Sequence, residues 1–184
     1  MLEDKRIYLR PINEHDAESL YQWGKDPLYH ETAGFERISD IQQARQTAMR
    51  YSQRPYSFAI ILKKTQQMIG LVELYERGMD EKSGLLATKD LGFLLDKNYW
   101  RQGLMHDALH LVINYAFNDL KQNQIWAGTF PSNERSQHLL HLLGFRYVYT
   151  TDYNQLAVGT NFQEKYFLLT PQDWYDTMHI NTKS

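Results

Sequence analysis

The chain has 184 residues, which predicts one domain over 1–184 with a core large enough to need no metal or disulfide. It contains no cysteine, which excludes disulfides, a cysteine nucleophile and a thiolate metal site, and fits a reducing, cytoplasmic location. A formal charge of −2 argues against a general nucleic-acid binder. No apolar run approaches the ~20 residues of a membrane span, and the first residues lack the apolar core of a signal peptide. We therefore expect neither nucleic acid nor membrane as a partner.

Apolar periodicity predicts strands and helices through the first half of the chain. Strands are indicated where apolar residues alternate, and helices where they recur every three or four residues. The predicted elements are a strand over 6–10, a helix capped by Asn13 and running to about Gly24, a looser segment over 26–37, a helix over about 39–51, and a hairpin of strands over 57–62 and 68–75.

The stretch over 90–117 has the most informative pattern. A buried strand is predicted over 91–95, followed by a polar turn and a tight loop centred on Gly103 that opens a long helix. The apolar face of this helix consists of Met105, Ala108, Leu109, Val112, Ala116, Phe117 and Leu120. The first N–H groups of a helix have no intrahelical acceptor, and glycine permits close backbone approach. This junction is therefore a candidate phosphate or pyrophosphate site, or simply a turn.

The second half of the chain continues the alternation of strands and helices. The predicted elements are a strand over 124–130, a helix capped by Asn133 and ended by Gly144, strands over 145–151 and 165–169, and a short helix from about Pro171. Strands and helices interleaved in this order predict a mixed α/β fold.

The segment YWRQGLMHDAL, residues 99–109, resembles the acyl-CoA pyrophosphate loop of the GCN5-related N-acetyltransferases (GNAT). Tyr99, Trp100 and Gly103 match the form of this loop in the RimJ/RimL branch, the ribosomal-protein N-terminal acetyltransferases. Arg101 replaces the first glycine of the motif, and Met105 replaces a small residue. Arg101 adds charge near the phosphates, whereas Met105 narrows the loop.

Other motifs extend the resemblance over nearly the whole chain. They are IYLRP over 7–11, Ile69-Gly70, Asn133-x-x-Ser136, Leu143-Gly144-Phe145 and YFLLTPQDW over 166–174. The resemblance implies an α+β fold with a central, mostly antiparallel sheet. In that fold the fourth and fifth strands splay apart, and helices flank the sheet.

The resemblance also implies an activity, in which an acetyl group moves from acetyl-CoA to a primary amine by direct attack in a ternary complex. The branch suggests a protein N-terminus as acceptor. GLVELYE over 70–76 resembles the third strand of spermidine acetyltransferases, which leaves a polyamine or another small amine as the alternative. The resemblance also implies which residues hold acetyl-CoA: the loop residues Arg101, Gln102, Gly103, Leu104, Met105 and His106, the backbone of Phe93, Leu94 and Leu95, and the side chains of Asn133 and Ser136. One of the N–H groups in the backbone of Phe93, Leu94 and Leu95 would be the oxyanion donor.

Three side chains are candidates for proton transfer. Asp90, just before the predicted strand, is the first candidate for the base, and Glu73 is the alternative base or a ligand for a cationic amine. Either carboxylate can equally be a strand-end group or an ion-pair partner. Ser136 is the candidate acid, although Asn133 and Ser136 also suit a helix cap.

Two side chains that family members use in catalysis are replaced in this sequence. Leu140 stands at the position of a tyrosine that many members use as the acid. Gln155 stands where RimL-like proteins have a late-loop glutamate. Neither role can therefore be transferred to this chain.

Two other functions compete with acetyl transfer. His106 and His110 lie four residues apart on the predicted helix, which indicates a zinc hydrolase with Asp107 as base. Zinc needs a third protein ligand, which no downstream spacing offers, so we expect no metal. The second is a non-catalytic acyl-CoA-binding protein, which the missing tyrosine and Met105 favour.

Acceptor choice is expected to depend on loops and helices outside the cofactor motif. The candidate segments are 13–51 and the loop near Gly159, and the candidate side chains are Tyr29, His30, Glu31, Phe35 and Glu36. Aromatic residues form 14% of the chain, which suits an aromatic-lined cleft and would permit a homodimer.

Overall fold

A computed structural model describes residues 2–77, 87–152 and 163–181. Its strands are β1 Leu2–Glu3, β2 Ile7–Pro11, β3 Ser57–Leu62, β4 Gln67–Glu76, β5 Thr88–Leu95, β6 Gln124–Thr129, β7 Arg146–Asp152 and β8 Gln163–Leu169. Its helices are α1 Ala17–Gly24, α2 Pro27–Ala33, α3 Ile41–Ser52, α4 Leu104–Asn118, α5 Glu134–Leu142 and α6 Pro171–Asn181. Gln155 and Gly159 lie outside the described residues. No helix within these ranges is long and apolar enough to cross a membrane.

The described strands form one hydrogen-bonded sheet in the order β1-β2-β3-β4-β5-β6-β8-β7. The β1–β2, β2–β3, β3–β4, β6–β8 and β7–β8 pairs are antiparallel, whereas β5 and β6 are parallel. Because β1 adds a strand at the start, the predicted fourth and fifth strands are β5 and β6. Their register ends at Asp90–Trp126, although β5 continues to Leu95. The mixed, mostly antiparallel sheet flanked by helices confirms the predicted fold class.

The described residues fall into two compact units, with boundaries between Leu74 and Tyr75, between Leu91 and Gly92, and between Tyr115 and Ala116. Unit 1 contains β1–β3, α1–α3 and most of β4 and α4. Unit 2 contains β6–β8, α5, α6 and the first half of β5. The single domain expected from chain length stays a prediction.

The core of unit 1 is built by the apolar faces of α1 and α3 and by the inward positions of β3. Leu20 and Trp23 of α1 and Ala44 and Ala48 of α3 are at most 2% exposed and belong to one cluster with Ile61. Small alanines on α3 allow a close approach to the large α1 side chains. Burial of this cluster fixes both helices in place.

In unit 2 the strands alternate between a buried and an exposed face. Ile125 and Ala127 of β6 are fully buried, and Phe167, Leu169 and Trp174 are at most 2% exposed. Period-2 alternation therefore turns the even-numbered residues of β6, among them Trp126, toward the opposite face. That second face carries polar and aromatic side chains.

Besides the added strand β1, two segments differ from the sequence prediction. The segment predicted to be loose contains α2, because the Asp26 side chain accepts from the Leu28 N–H at 3.1 Å, Pro27 starts the helix, and Gly34 ends it at φ 63°. Strand β5 begins at Thr88 rather than Leu91. Asp90 therefore lies within the strand, not just before it.

Replacing Gly24 by alanine is expected to lower the free energy of unfolding by about 1–3 kcal/mol. A Cβ at this position would lie 2.5 Å from Cβ of the buried Ile38, so the packed side chain must shift. Urea denaturation measures the loss. Glu18→Ala on the exposed side of α1 is the control and should change stability by less than about 0.5 kcal/mol. Equal stability of both variants would contradict this packing.

Candidate functional site

Residues singled out from the sequence lie in both units. In unit 1, hydrogen bonds fix the chain between β5 and α4. The Asp96 side chain accepts from the Asn98 N–H at 2.9 Å and caps a single 3₁₀ turn over Lys97–Tyr99. The indole Nε1 of Trp100 then donates to the carbonyl of Leu95 at 2.8 Å. These bonds tie the Tyr-Trp pair of the motif to the end of β5.

The loop that follows contains two left-handed residues. Arg101 has φ 61° and Gly103 has φ 74°, and α4 begins at Leu104. The first bond of the helix runs from the Asp107 N–H to the Gly103 carbonyl at 3.1 Å. The preceding N–H groups have no intrahelical acceptor, so the turn presents donors and the positive end of the helix dipole. This geometry suits a phosphate.

Arg101 occupies a backbone conformation that favours glycine, the residue the family motif has at this position. A non-glycine residue in the left-handed region is strained by roughly 1–3 kcal/mol. The substitution therefore keeps the loop conformation that the motif requires and adds a guanidinium group to it. The Arg101 side chain is exposed, and the residue lies three positions before the start of α4.

Arg6, which the sequence did not identify, braces the same loop. Its Nη1 donates to the Gln102 carbonyl at 2.6 Å, and its Nε donates to the Asp107 carboxylate at 2.9 Å. A Cβ at position 103 would lie 3.1 Å from Nη2 of Arg6. No local pattern could have found this residue, because it lies about a hundred positions earlier in the chain.

The second half of β5 combines packed side chains with a close backbone approach. Leu94 is 4% exposed and belongs to the core of unit 1, whereas Phe93 and Leu95 are half-buried. A Cβ at Gly70 would lie 2.5 Å from the Leu94 carbonyl oxygen, so glycine is required there.

Glu73, the alternative base, is a buried ion-pair partner within unit 1. Its carboxylate accepts from Arg54 Nη1 at 2.8 Å and from the Ser57 hydroxyl. The Arg54 guanidinium also lies over the Tyr51 ring, 4.5 Å from its centroid. Burial, with the negative charge of Glu73 nearby, raises the pKa of Tyr51. Glu73 therefore neutralises the charge of Arg54 in the same chain.

Asp90, the first candidate base, lies in unit 2 opposite Trp126. Burial raises the pKa of the Asp90 carboxyl, while the charge and hydrogen bond of Arg77 act in the opposite direction. The Asp90 side chain is 34% exposed, against 2% for that of Glu73. Of the two carboxylates, Asp90 is thus the one that a solvent-borne molecule can reach.

The Asn133 turn, also in unit 2, has the geometry of a helix cap. The Asn133 side chain accepts from the Ser136 N–H at 3.1 Å and begins α5. Nearby in sequence, the buried hydroxyl of Thr129 at the end of β6 has no hydrogen-bond partner among the described residues. A buried polar atom without a partner is costly, which marks Thr129 as a position where a ligand can contribute a bond.

The two histidines of α4 do not form a metal site with other described residues. Within 2–77, 87–152 and 163–181, no group of three or more His, Asp or Glu side chains could hold a metal ion. His110 lies 3.2 Å from the Asn114 amide, and burial lowers the pKa of its imidazole. The zinc hydrolase alternative therefore lacks a third ligand in this part of the chain.

Comparison with known proteins agrees with this fold. The family model described as "Acetyltransferase (GNAT) domain" matches residues 6–146. The chain is 32% identical over 154 residues to the "Probable N-acetyltransferase YjcK" of Bacillus subtilis, with 79% of this chain and 83% of that protein covered. The chain therefore belongs to the GNAT acetyltransferase family. Members of this family generally use acetyl-CoA.

Solved structures share the fold at lower identity. A GNAT-family acetyltransferase from Bacillus anthracis has a TM-score of 0.80 at 16% identity, covering 93% of this chain and 98% of that chain. A structure titled "Ribosomal-protein-S5-alanine Acetyltransferase", from Vibrio fischeri, has a TM-score of 0.73 at 20% identity, covering 94% and 97%.

Arg77→Gln is expected to raise the pKa of Asp90 above its value in the wild type. Loss of the guanidinium leaves burial of the carboxyl unopposed, and burial disfavours the charged form. NMR titration of the aspartate carboxyl carbons measures this shift. Arg146→Gln, which removes an exposed cation paired with Asp173, is the control and should leave Asp90 unchanged. If the pKa of Asp90 is unchanged or lower in Arg77→Gln, the pairing with Arg77 does not stabilise the ionised carboxylate of Asp90.

Proposed function

We propose that this acetyltransferase takes its acetyl group from acetyl-CoA and transfers it to a primary amine in a ternary complex. The observation that carries the proposal is the left-handed turn at Arg101 and Gly103, which opens α4 with its first N–H groups unbonded within the helix. The turn lies in the segment that matches the family's pyrophosphate motif. Arg6, which is paired with Asp107, donates to the Gln102 carbonyl within the turn, and the side chain of Arg101 is exposed.

The residues proposed to hold acetyl-CoA fall into three groups. The backbone from Arg101 to His106 would bind the pyrophosphate, and the backbone of Phe93–Leu95 would bind the pantetheine arm and provide an oxyanion donor. Asn133 would contact the pantetheine amide. The Thr129 hydroxyl, which has no hydrogen-bond partner among the described residues, supports a ligand in its surroundings. When bound, acetyl-CoA supplies an activated acetyl thioester.

Asp90 is the proposed base, because it is half-buried, reachable and has a raised pKa. In this role its ionised carboxylate accepts a proton from the acceptor ammonium, which leaves a neutral amine with the lone pair that attack requires. Glu73 is less suited, since Arg54 and Ser57 already donate to it in a buried setting. Ser136 is the proposed donor to the leaving sulfur.

A protein N-terminus is the acceptor we propose, on the basis of the RimJ/RimL form of the loop. The Tyr-Trp pair and Gly103 carry this assignment, and Trp100 anchors the loop through its bond to Leu95. The shared fold with the Vibrio fischeri ribosomal-protein acetyltransferase is compatible with it. Release of free CoA in the presence of peptides with free N-termini tests the acceptor directly.

Gly103→Asp is expected to weaken acetyl-CoA binding at least tenfold, about 1.4 kcal/mol. The substitution strains a residue at φ 74° and places a negative charge where the phosphates are proposed to bind. Calorimetric titration with acetyl-CoA measures the loss. Gly34→Asp is the matched control, since Gly34 has φ 63° and ends a different helix. Wild-type protein that binds no acetyl-CoA, or equal binding by wild type and Gly103→Asp, would overturn the proposed loop function.

Asp90→Asn is expected to lower kcat by roughly 10²-fold or more at neutral pH, with little change in acetyl-CoA affinity. The amide cannot accept the proton, but it retains the shape of the carboxyl group. In the wild type the rate should fall as the pH drops through the raised pKa of Asp90, because protonation removes the base. Steady-state rates of the wild type and of Asp90→Asn, measured across pH, test both expectations. Full activity of the variant at every pH would exclude Asp90 as the base.

A further inference from the structure

The Arg77 guanidinium lies among three aromatic side chains on the outward face of the unit 2 sheet. The Arg77 guanidinium lies over the Trp126 ring, 4.4 Å from its centroid, and 5.6 Å from that of Tyr166. Its Nη2 donates to the Tyr149 hydroxyl at 3.2 Å, and its Nη1 pairs with the Asp90 carboxylate. We refer to Arg77, Asp90, Trp126, Tyr149 and Tyr166 as the Arg77 pocket.

Strand register builds the walls of this pocket from four strands. Asp90 of β5 is paired with Trp126 of β6, and Tyr149 of β7 is paired with Tyr166 of β8. The Tyr149 and Tyr166 rings stack at 5.0 Å, and the Trp126 and Tyr149 rings lie 6.0 Å apart. Paired residues point to the same face of a sheet, so the three rings and the carboxylate form one rigid surface.

A second carboxylate extends the same face. Tyr166 is paired with Gly128, and its hydroxyl donates to Glu164 at 2.7 Å. The Glu164 carboxylate lies over Gly128, where any Cβ would collide with it. Glycine at this position therefore leaves room for an anionic group on the sheet surface. The pocket thus combines three aromatic rings with Asp90, and has Glu164 at its edge.

Aromatic faces and carboxylates together are the surroundings that bind guanidinium and ammonium ions. Arg77 fills this space from a position one residue beyond the end of β4, so its side-chain contacts, not strand pairing, hold it there. Its side chain is 21% exposed, so a cation from solvent can compete for the same surface. The backbone positions of the rings and carboxylates are set by the β5–β6, β6–β8 and β7–β8 pairings, in which Arg77 takes no part.

We propose that the Arg77 pocket is a cation-binding site for the acceptor, which Arg77 occupies until a guanidinium or ammonium group of the acceptor replaces it. The inference rests on the proposed function. The bound cation is a second positive group of the acceptor, held by the three rings and by Glu164, because the nitrogen that is acetylated must give its proton to Asp90 and become neutral before it attacks. The acceptor class is therefore a primary amine that carries another cationic group, either as a small diamine-like molecule or as a peptide with a nearby Lys or Arg.

The direct test is binding of agmatine, a primary amine with a guanidinium group, compared with pentylamine, which lacks that group. Calorimetric titrations use the full chain as wild type, Arg77→Gln and Arg77→Gln/Trp126→Leu. Arg77→Gln is expected to bind agmatine at least tenfold more tightly than wild type, with no gain for pentylamine. The Trp126 substitution should remove the gain. Arg146→Gln, which deletes an exposed cation elsewhere in unit 2, should behave as wild type.

Three results would overturn the pocket: no gain in Arg77→Gln, a gain that survives Trp126→Leu, or an equal gain for pentylamine. Thermal melting of each variant checks that the fold is retained. If Arg77→Gln does not fold, NMR spectra of the wild-type protein provide the test. Agmatine is expected to shift the aromatic ring signals of Trp126 and Tyr166, and pentylamine is expected to leave them unchanged.

Acetylation rates distinguish the two sources of the cation and separate this inference from the proposed function. Wild-type kcat/KM is compared for agmatine against pentylamine, and for an Ala-Arg peptide against an Ala-Gln peptide. A tenfold or larger preference for the cationic member of either pair supports the pocket and identifies the source. Equal rates within both pairs, with acetyl-CoA binding intact, overturn the pocket alone. If the wild-type protein does not bind acetyl-CoA, the proposed function is overturned. The agmatine titration then still tests whether the Arg77 pocket binds a cation.

Discussion

The left-handed backbone at positions 101 and 103 is the constraint on which the rest of the candidate cofactor site depends. It turns the chain out of β5 within a few residues and determines that α4 begins at Leu104. Only glycine adopts this conformation without strain, so Arg101 costs energy that the surrounding bonds must offset. Those bonds come from Arg6 and from Trp100, which hold the loop at both ends. Bonds within the chain therefore define the loop conformation, which lowers the entropy that ligand binding must overcome.

Arginine–carboxylate pairs recur at each polar position of interest, but their exposure differs. The Glu73 side chain, paired with Arg54, is 2% exposed, whereas the Asp90 side chain, paired with Arg77, is 34% exposed. Removing the partner of a buried carboxylate leaves a desolvated charge, which holds Glu73 to Arg54. A partly exposed carboxylate is held more weakly, since water screens the pair and can replace the partner. Exposure, more than residue type, thus separates a structural carboxylate from one able to exchange its partner.

Local signals were sufficient to predict the tight turn before α4 and most of the helices and strands. Gly103, the Asn133 cap and the apolar stripe of α4 depend on neighbours within a turn or two of the chain. Helix α2 was missed although its signals, Asp26-Pro27 and Gly34, are equally local. The early start of β5 could not be seen, because Thr88, Lys89 and Asp90 read as polar until pairing with β6 covers them.

The roles of Arg6, Arg77 and Glu164 were invisible from the sequence for a different reason. Each is a charged residue of ordinary appearance, and its role depends on partners from distant strands or loops. Arg6 reaches Gln102 across about a hundred residues, and Arg77 meets rings from three later strands. Such contacts follow from sheet order, which periodicity alone does not specify.

Leu140 shows how the chain accommodates the loss of the family's tyrosine. Its side chain is fully buried within unit 2, so the position contributes apolar packing there. A tyrosine in its place would need a hydrogen-bond partner for its hydroxyl, or would leave a buried polar atom unsatisfied. In the proposed reaction the acid for the leaving sulfur must therefore come from another group or from water. A thiolate is a tolerable leaving group, so that reaction demands less of an acid than of a base, the role proposed for Asp90 with its raised pKa.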